Sequence, residues 1–333
     1  MHRPLTKLGR MVSTRCWQDG SSAERDFPVE QVSDLVARDG SFVWVDFTDP
    51  EPADLEHVEE ELGIHALAVE DAVERGQRPK LDRYRDSIFL VVYDTHGPGE
   101  DGELVTHEVK AFVTRHALVT IHGADFDTAA VQRRWDANSD LADHGVPWLL
   151  WGLLDTVVDH ATSVLETIER DIDALEDDLF ENGDPREQQI QRRSFRLRKA
   201  LGVLRRLVVP TRDSVGSLLH GDAETIVDGV RPYFRDVEDH LVSIADTVEQ
   251  QRDAVSSVLE TNLNLASNRQ NTVMKKVTSW AAIIAIPTGI TSFFGQNVHF
   301  PGEGEWSGLW ASISLTVASS LLLYRSFKRR DWL

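Results

Sequence analysis

VTSWAAIIAIPTGITSFF, residues 277–294, contains no charged side chain. Gly295-Gln296-Asn297 follows, then the loop VHFPGEGEWS, and then a second uncharged run from Gly308 to Tyr324. Two apolar runs of 18 and 17 residues joined by a short loop predict a helical hairpin through a bilayer. Lys275 and Lys276 precede the first run, and Arg325, Lys328, Arg329 and Arg330 follow the second. The loop carries only Glu303 and Glu305, so the positive-inside tendency puts both termini in the cytoplasm and the loop outside.

Within the first run, Met274, Val277, Ala281, Ile284 or Ala285, Thr288 and Ser292 recur every three or four residues and share one helix face. That face is small or weakly polar. It suits the lining of a narrow pore built from several copies, and it equally suits close helix packing in lipid. Glu303 and Glu305 would concentrate cations at an outer mouth, or simply solvate the loop.

The chain has 333 residues, with 35 Lys plus Arg against 55 Asp plus Glu. Residues 271–333 hold six basic and three acidic residues, which leaves 29 against 52 for the rest. So acidic a body argues against nucleic acid and for cations as partners. Cys16 is the only cysteine, which excludes an intrachain disulfide and a thiolate metal cluster. MHRPLTKLGRMV lacks a long apolar core, so no signal peptide is expected.

Residues 1–145 read as a mixed α/β domain, with strands at 42–47, 88–93, 109–114 and 118–122. A helix is expected from Asp49, as N-cap, to Gly63, and residues 97–102 read as a turn. No phosphate-binding glycine loop and no nucleophile–base pair emerges, so an enzyme is not expected. Residues 146–276 read as helical stalk. Leu150, Leu154, Val157, Ala161, Val164, Ile168, Ile172, Leu175 and Leu179 form a coiled-coil-like seam that breaks at Asn182–Pro185. A second helix runs from about Arg186 to His220, with Pro210 as the place for a bend. A third continues its seam from Val237 to Leu263 and enters the apolar run. As one helix to Phe294 it would be about 93 Å long. The hairpin and basic tail occupy 277–333.

The chain resembles the CorA-type divalent metal ion transporters over most of its length. The resemblance rests on GIHALAVEDAVERGQRPKLDRY (63–84), YFRDVEDHLVSIADTVEQQRD (233–253), SNRQNTVMKKVTSWAAII (267–284) and the terminal KRRDWL. The family signature Gly-Met-Asn stands here as Gly295-Gln296-Asn297. The resemblance implies a funnel-shaped homopentamer in the cell membrane: an α+β cytoplasmic domain, long coiled-coil-like stalk helices and two C-terminal transmembrane helices, the first lining the pore.

It also implies roles for particular residues. Asn297 would form a ring of amides that accepts hydrogen bonds from a hydrated ion; on sequence alone it reads as a helix C-cap. Gly295 permits close backbone approach. Gln296 replaces the family methionine and leaves selectivity open. Met274 and Val277 match an apolar constriction, which can block ions by dewetting, and Thr288 matches a polar ring. Asp71 and Asp253, with Glu70 beside the first, match an acidic regulatory pair that magnesium would bridge. The implied function is Mg2+ influx, with Co2+ or Ni2+ as fellow substrates, gated by internal Mg2+. An inside-negative potential suffices as driving force, at about 4.6 kcal/mol per divalent ion per 100 mV. The alternatives are a proton-coupled Zn2+ transporter and a non-conducting membrane-tethered Mg2+ sensor or scaffold.

Overall fold

The computed structural model describes residues 11–98, 103–181, 187–221, 226–296, 299 and 305–333. The chain forms two compact units that divide between Val258 and Leu259.

The first unit is built on a seven-stranded sheet of order β2-β1-β3-β7-β6-β5-β4. The strands are β1 (Met11–Gln18), β2 (Ser21–Arg25), β3 (Ser41–Thr48), β4 (Lys80–Arg83), β5 (Ile88–Pro98), β6 (Leu104–Val113) and β7 (Ala117–His122). β3 and β7 pair in parallel, and every other pairing is antiparallel. β3 and β7 occupy the centre and are buried almost throughout, which is why they read as continuous apolar runs. The four expected strands are therefore present. β1, β2 and β4, which sequence periodicity did not reveal, flank them. Gly97 and Pro98 belong to β5 rather than to a turn; residues 99–102 lie outside the described segments.

α1 (Val32–Val36), α2 (Pro52–Leu62) and α3 (Ala66–Val73) cover one face, over a core that includes Val43, Phe47, Leu55, Phe89 and Phe112. α2 is capped by Glu51, whose backbone N–H is accepted by Asp54 at 2.7 Å, and stops at Gly63 with φ 64°. Asp49 is thus not the N-cap. Its backbone is left-handed (φ 48°), and its carboxylate accepts from the Ala124 N–H. Pro52 at the first helical position explains the later start.

α4 (Thr128–Ala137) and α5 (Val146–Glu181) lie on the other face. There Trp17 stacks on Phe42 at 5.4 Å and meets Trp148 edge-on, while Trp44 meets Trp135 at 4.9 Å. Every expected seam residue of α5 from Leu150 to Leu179 is buried. The seam is not coiled-coil along its whole length, because the early turns of α5 pack on the sheet. α6 (Glu187–His220) runs through Pro210 as one helix, and α7 spans Arg231–Phe294. Polar contacts tie these helices together: Arg205 pairs with Glu249 at 3.0 Å, and Gln251 donates to Glu169 at 3.2 Å. The buried apolar seam of α7 runs from Phe234 to Val258, and the next position on it is the buried Asn262; Leu263, expected to continue it, is 58% exposed.

The second unit holds the rest of α7 and α8 (Trp306–Arg329). Half-buried Ala282, Ile283, Ile286, Pro287 and Ile290 fall on one stripe of α7. Ser312, Thr316, Ser319, Ser320, Leu323 and Phe327 are half-buried on α8, in line with the buried Gly308. One covered stripe on each helix is the pattern of two helices packed side by side, and the α8 stripe is rich in the small residues that permit close approach.

Candidate pore and metal-binding sites

Both helices of the second unit are long and apolar enough to cross a membrane, yet only 6% of each apolar window is buried. A helix in the core of a water-soluble protein would be covered, so these lengths are made for lipid or for further copies. The face expected to line a pore is uncovered, as is all of α7 from Asn271 to Ala281 apart from Ser279. Met274 (60% exposed), Val277 (59%), Ala281, Ile284, Thr288 and Ser292 all lie open.

Thr288 Oγ1 donates to the Ile284 carbonyl at 3.0 Å. With its proton so engaged, the hydroxyl offers outward only lone pairs, which suit the water protons of a hydrated cation. α7 stops at Phe294; the Gly295 N–H returns to the Thr291 carbonyl at 3.0 Å, and the Gln296 N–H to Phe293 at 3.2 Å. A Cβ on Gly295 would meet that Thr291 oxygen at 3.1 Å, so glycine keeps the helix end tight. Gln296 is exposed. Asn297 and Glu303 lie outside the described residues. Glu305 is the residue before α8 and accepts from the Ser307 hydroxyl at 3.0 Å.

The acidic regulatory candidates lie in the first unit. Glu70 and Asp71 belong to the last turns of α3, and Asp253 lies exposed on α7. Among the described residues no hydrogen bond or ion pair joins Asp71 to Asp253. Asp71 is instead engaged by Lys80, 2.6 Å away. One further constellation escaped the sequence reading: Asp94, His96 and His160 bring potential metal donors together from β5 and α5. The only local signal was the Asp-Thr-His spacing of β5.

Among the described residues, a sheet-and-helix body, a long helix that runs into a membrane-length segment and a second such segment are the features of a membrane protein with a helical anchor. The chain belongs to the CorA-like Mg2+ transporter protein family, which it matches over residues 39–329. It is 31% identical to the cobalt/magnesium transport protein CorA of Thermotoga maritima, over 93% of this chain and 89% of that one. A putative metal ion transporter of Bacillus subtilis is 29% identical over 92% of this chain and 94% of its own. The fold matches the complete structure of the CorA magnesium transporter from Methanocaldococcus jannaschii with a TM-score of 0.78 at 20% identity, covering 97% of this chain and 99% of that one.

Proposed function

We propose that this chain is a channel-like transporter for divalent cations, chiefly an Mg2+ influx path driven by membrane voltage, with Co2+ as a second substrate. The observation that carries this reading is the uncovered small-residue face of α7, from Met274 through Thr288 to Ser292, with Gly295-Gln296-Asn297 following it in the sequence. Five copies around an axis would turn that face inward and use Met274 and Val277 as an apolar constriction, Ala281 and Thr288 as the lining, and Asn297 as an amide ring at the mouth. Relatives named for cobalt and magnesium transport support the choice of ion. The exposed Leu263 and Val273 lie where neighbouring stalks would cover them.

The assembly would sit in the cell membrane with both termini cytoplasmic. An α/β domain (1–145) and stalk (146–276) would lie below the hairpin (277–333), and Glu303 and Glu305 would attract cations outside. Internal Mg2+ between Asp71, with Glu70, of one copy and Asp253 of the next would close the pore. The test is flux: purified protein in liposomes with an internal magnesium dye, at a fixed inside-negative voltage. Uptake that Asn297→Ala abolishes while the assembly persists is the expected result. Absence of voltage-driven Mg2+ uptake by the wild type would overturn the proposal; unchanged uptake by the variant would remove the amide ring.

A further inference from the structure

Asp94, His96 and His160 have no part in the transport reading. Asp94 and His96 are two residues apart on β5 and so leave the sheet on the same side. The β5–β6 register sets His107 directly across from Asp94. α5 packs over β5 and delivers His160.

Asp94 is fully buried, with Oδ1 2.7 Å from His160 Nδ1 and Oδ2 2.8 Å from His96 Nε2. The three donor atoms lie within 4.8 Å of one another. Among the described residues no Lys or Arg pairs with Asp94; its ionic contacts are the two imidazoles. A buried carboxylate needs a balancing positive charge. Here the imidazoles supply it, either as bound protons or through a cation that they hold jointly with the carboxylate.

The arrangement favours the cation. One protonated imidazole would balance one carboxylate, yet two hold it, and their rings lie 4.9 Å apart. The His96 and His160 side chains remain 40% and 29% exposed. An ion therefore has a route in. Asp159 and Asp127 add negative potential at His160.

We infer that Asp94, His96 and His160 form a binding site for one first-row transition ion of the Zn2+, Co2+ or Ni2+ type, with water completing its shell. Imidazole nitrogen suits these ions, whereas magnesium demands a shell of oxygens. Donors about 2.1 Å from a tetrahedral ion lie about 3.4 Å apart. Binding thus opens the Asp94–His160 and Asp94–His96 contacts, now 2.7 and 2.8 Å, to about 3.4 Å and joins β5 to α5 through the metal. The site would answer to competitor ions rather than to magnesium.

The test uses the full chain in detergent, free of metal and of any polyhistidine tag. Co2+ is titrated in excess Mg2+, which fills oxygen sites. The ligand-field absorption bands and the bound cobalt are measured together. One equivalent per chain with intense tetrahedral-type bands is expected. His96→Ala and His160→Ala should each weaken binding roughly tenfold or more, with thermal midpoint and elution volume confirming that the variants fold. His96, the more exposed of the two, decides the matter if the His160 variant does not. Co2+ bands that fail to appear, or that persist unchanged in the folded variants, overturn the site and leave a proton-balanced cluster. Magnesium flux is not the readout, so this result stands apart from the transport proposal.

Discussion

Lys80 Nζ lies 2.6 Å from Asp71 Oδ2, so the carboxylate proposed to sense magnesium already holds an internal cation. Asp82 shares that ammonium at 2.7 Å. Burial works against the charge on Lys80, but the hydrogen bonds to Asp71 and Asp82 outweigh it and raise its pKa above the ordinary lysine value. The ammonium therefore persists at neutral pH and competes with Mg2+ for Asp71. Lys80→Met should make the transporter more sensitive to internal magnesium. A half-exposed pair of this kind is worth up to about 1 kcal/mol, which corresponds to a shift of about two- to fivefold in the inhibiting concentration. Dye flux at graded internal Mg2+ measures it; an unmoved inhibition curve would separate Asp71 from gating.

Cys16 is buried and is the only cysteine, so Cys16→Ser gives a background for placing single thiols. Cysteine at Ala281 or Thr288 should be reached by a charged methanethiosulfonate from the aqueous side and cut Mg2+ flux by roughly half or more, since an added cation in a narrow path repels others. Cysteine at Ile283 or Ile286, on the covered stripe of α7, should not respond. Equal block at both sets of positions would mean that the uncovered face is not the conducting one.

Asp155 carries a testable pH dependence. Burial comes first among its influences and raises its pKa to about 6; Arg134, 2.8 Å away, opposes this, and Asp159 and Asp236 add to it. A carboxyl raised above its unfolded value of 3.8 contributes stability that is complete below that value and lost as pH climbs through about 6. Asp155→Asn should therefore compare more favourably with the wild type at pH 8 than at pH 4.5. The swing should be about 1–2 kcal/mol once solvent screening is allowed for. Thermal midpoints at the two pH values measure it, and a difference independent of pH would contradict the assignment.

Gly152 leaves room on α5 for the Trp135 indole, whose Nε1 donates to the Leu149 carbonyl at 3.0 Å. A Cβ there would overlap the indole ring, and Trp135 is fully buried among other tryptophans. Gly152→Ala should cost about 1–3 kcal/mol of stability. The change should appear as an earlier thermal transition with a disturbed near-ultraviolet tryptophan spectrum; an unshifted transition would show that the indole can move aside.

The central strands and the α5 seam were legible in the sequence because burial on both sides or along one stripe leaves an unmistakable apolar pattern. β1 and β4 were not, since Arg15, Lys80 and Asp82 interrupt theirs. Arg15 is nevertheless buried, lying over the Trp17 ring at 4.6 Å and pairing with Asp136. Spacing grouped the residues of the small-residue face of α7 but left pore lining and helix packing equally open, and it did not show where the apolar seam of α7 stops, because Leu259 and Leu263 keep the same period. The Asp94 cluster joins residues 66 apart in sequence, and no local rule links His160 to β5.

The parallel pairing of β3 with β7 has a consequence for synthesis. Val43 and Ala117 are register partners, so one flank of β3 waits while seventy-odd further residues are made. At ordinary translation speeds that wait lasts about 4–15 s. During that time an apolar strand with free backbone groups stands ready to pair with any stray chain, so crowding of nascent copies is a greater hazard to this molecule before residue 117 emerges than after it.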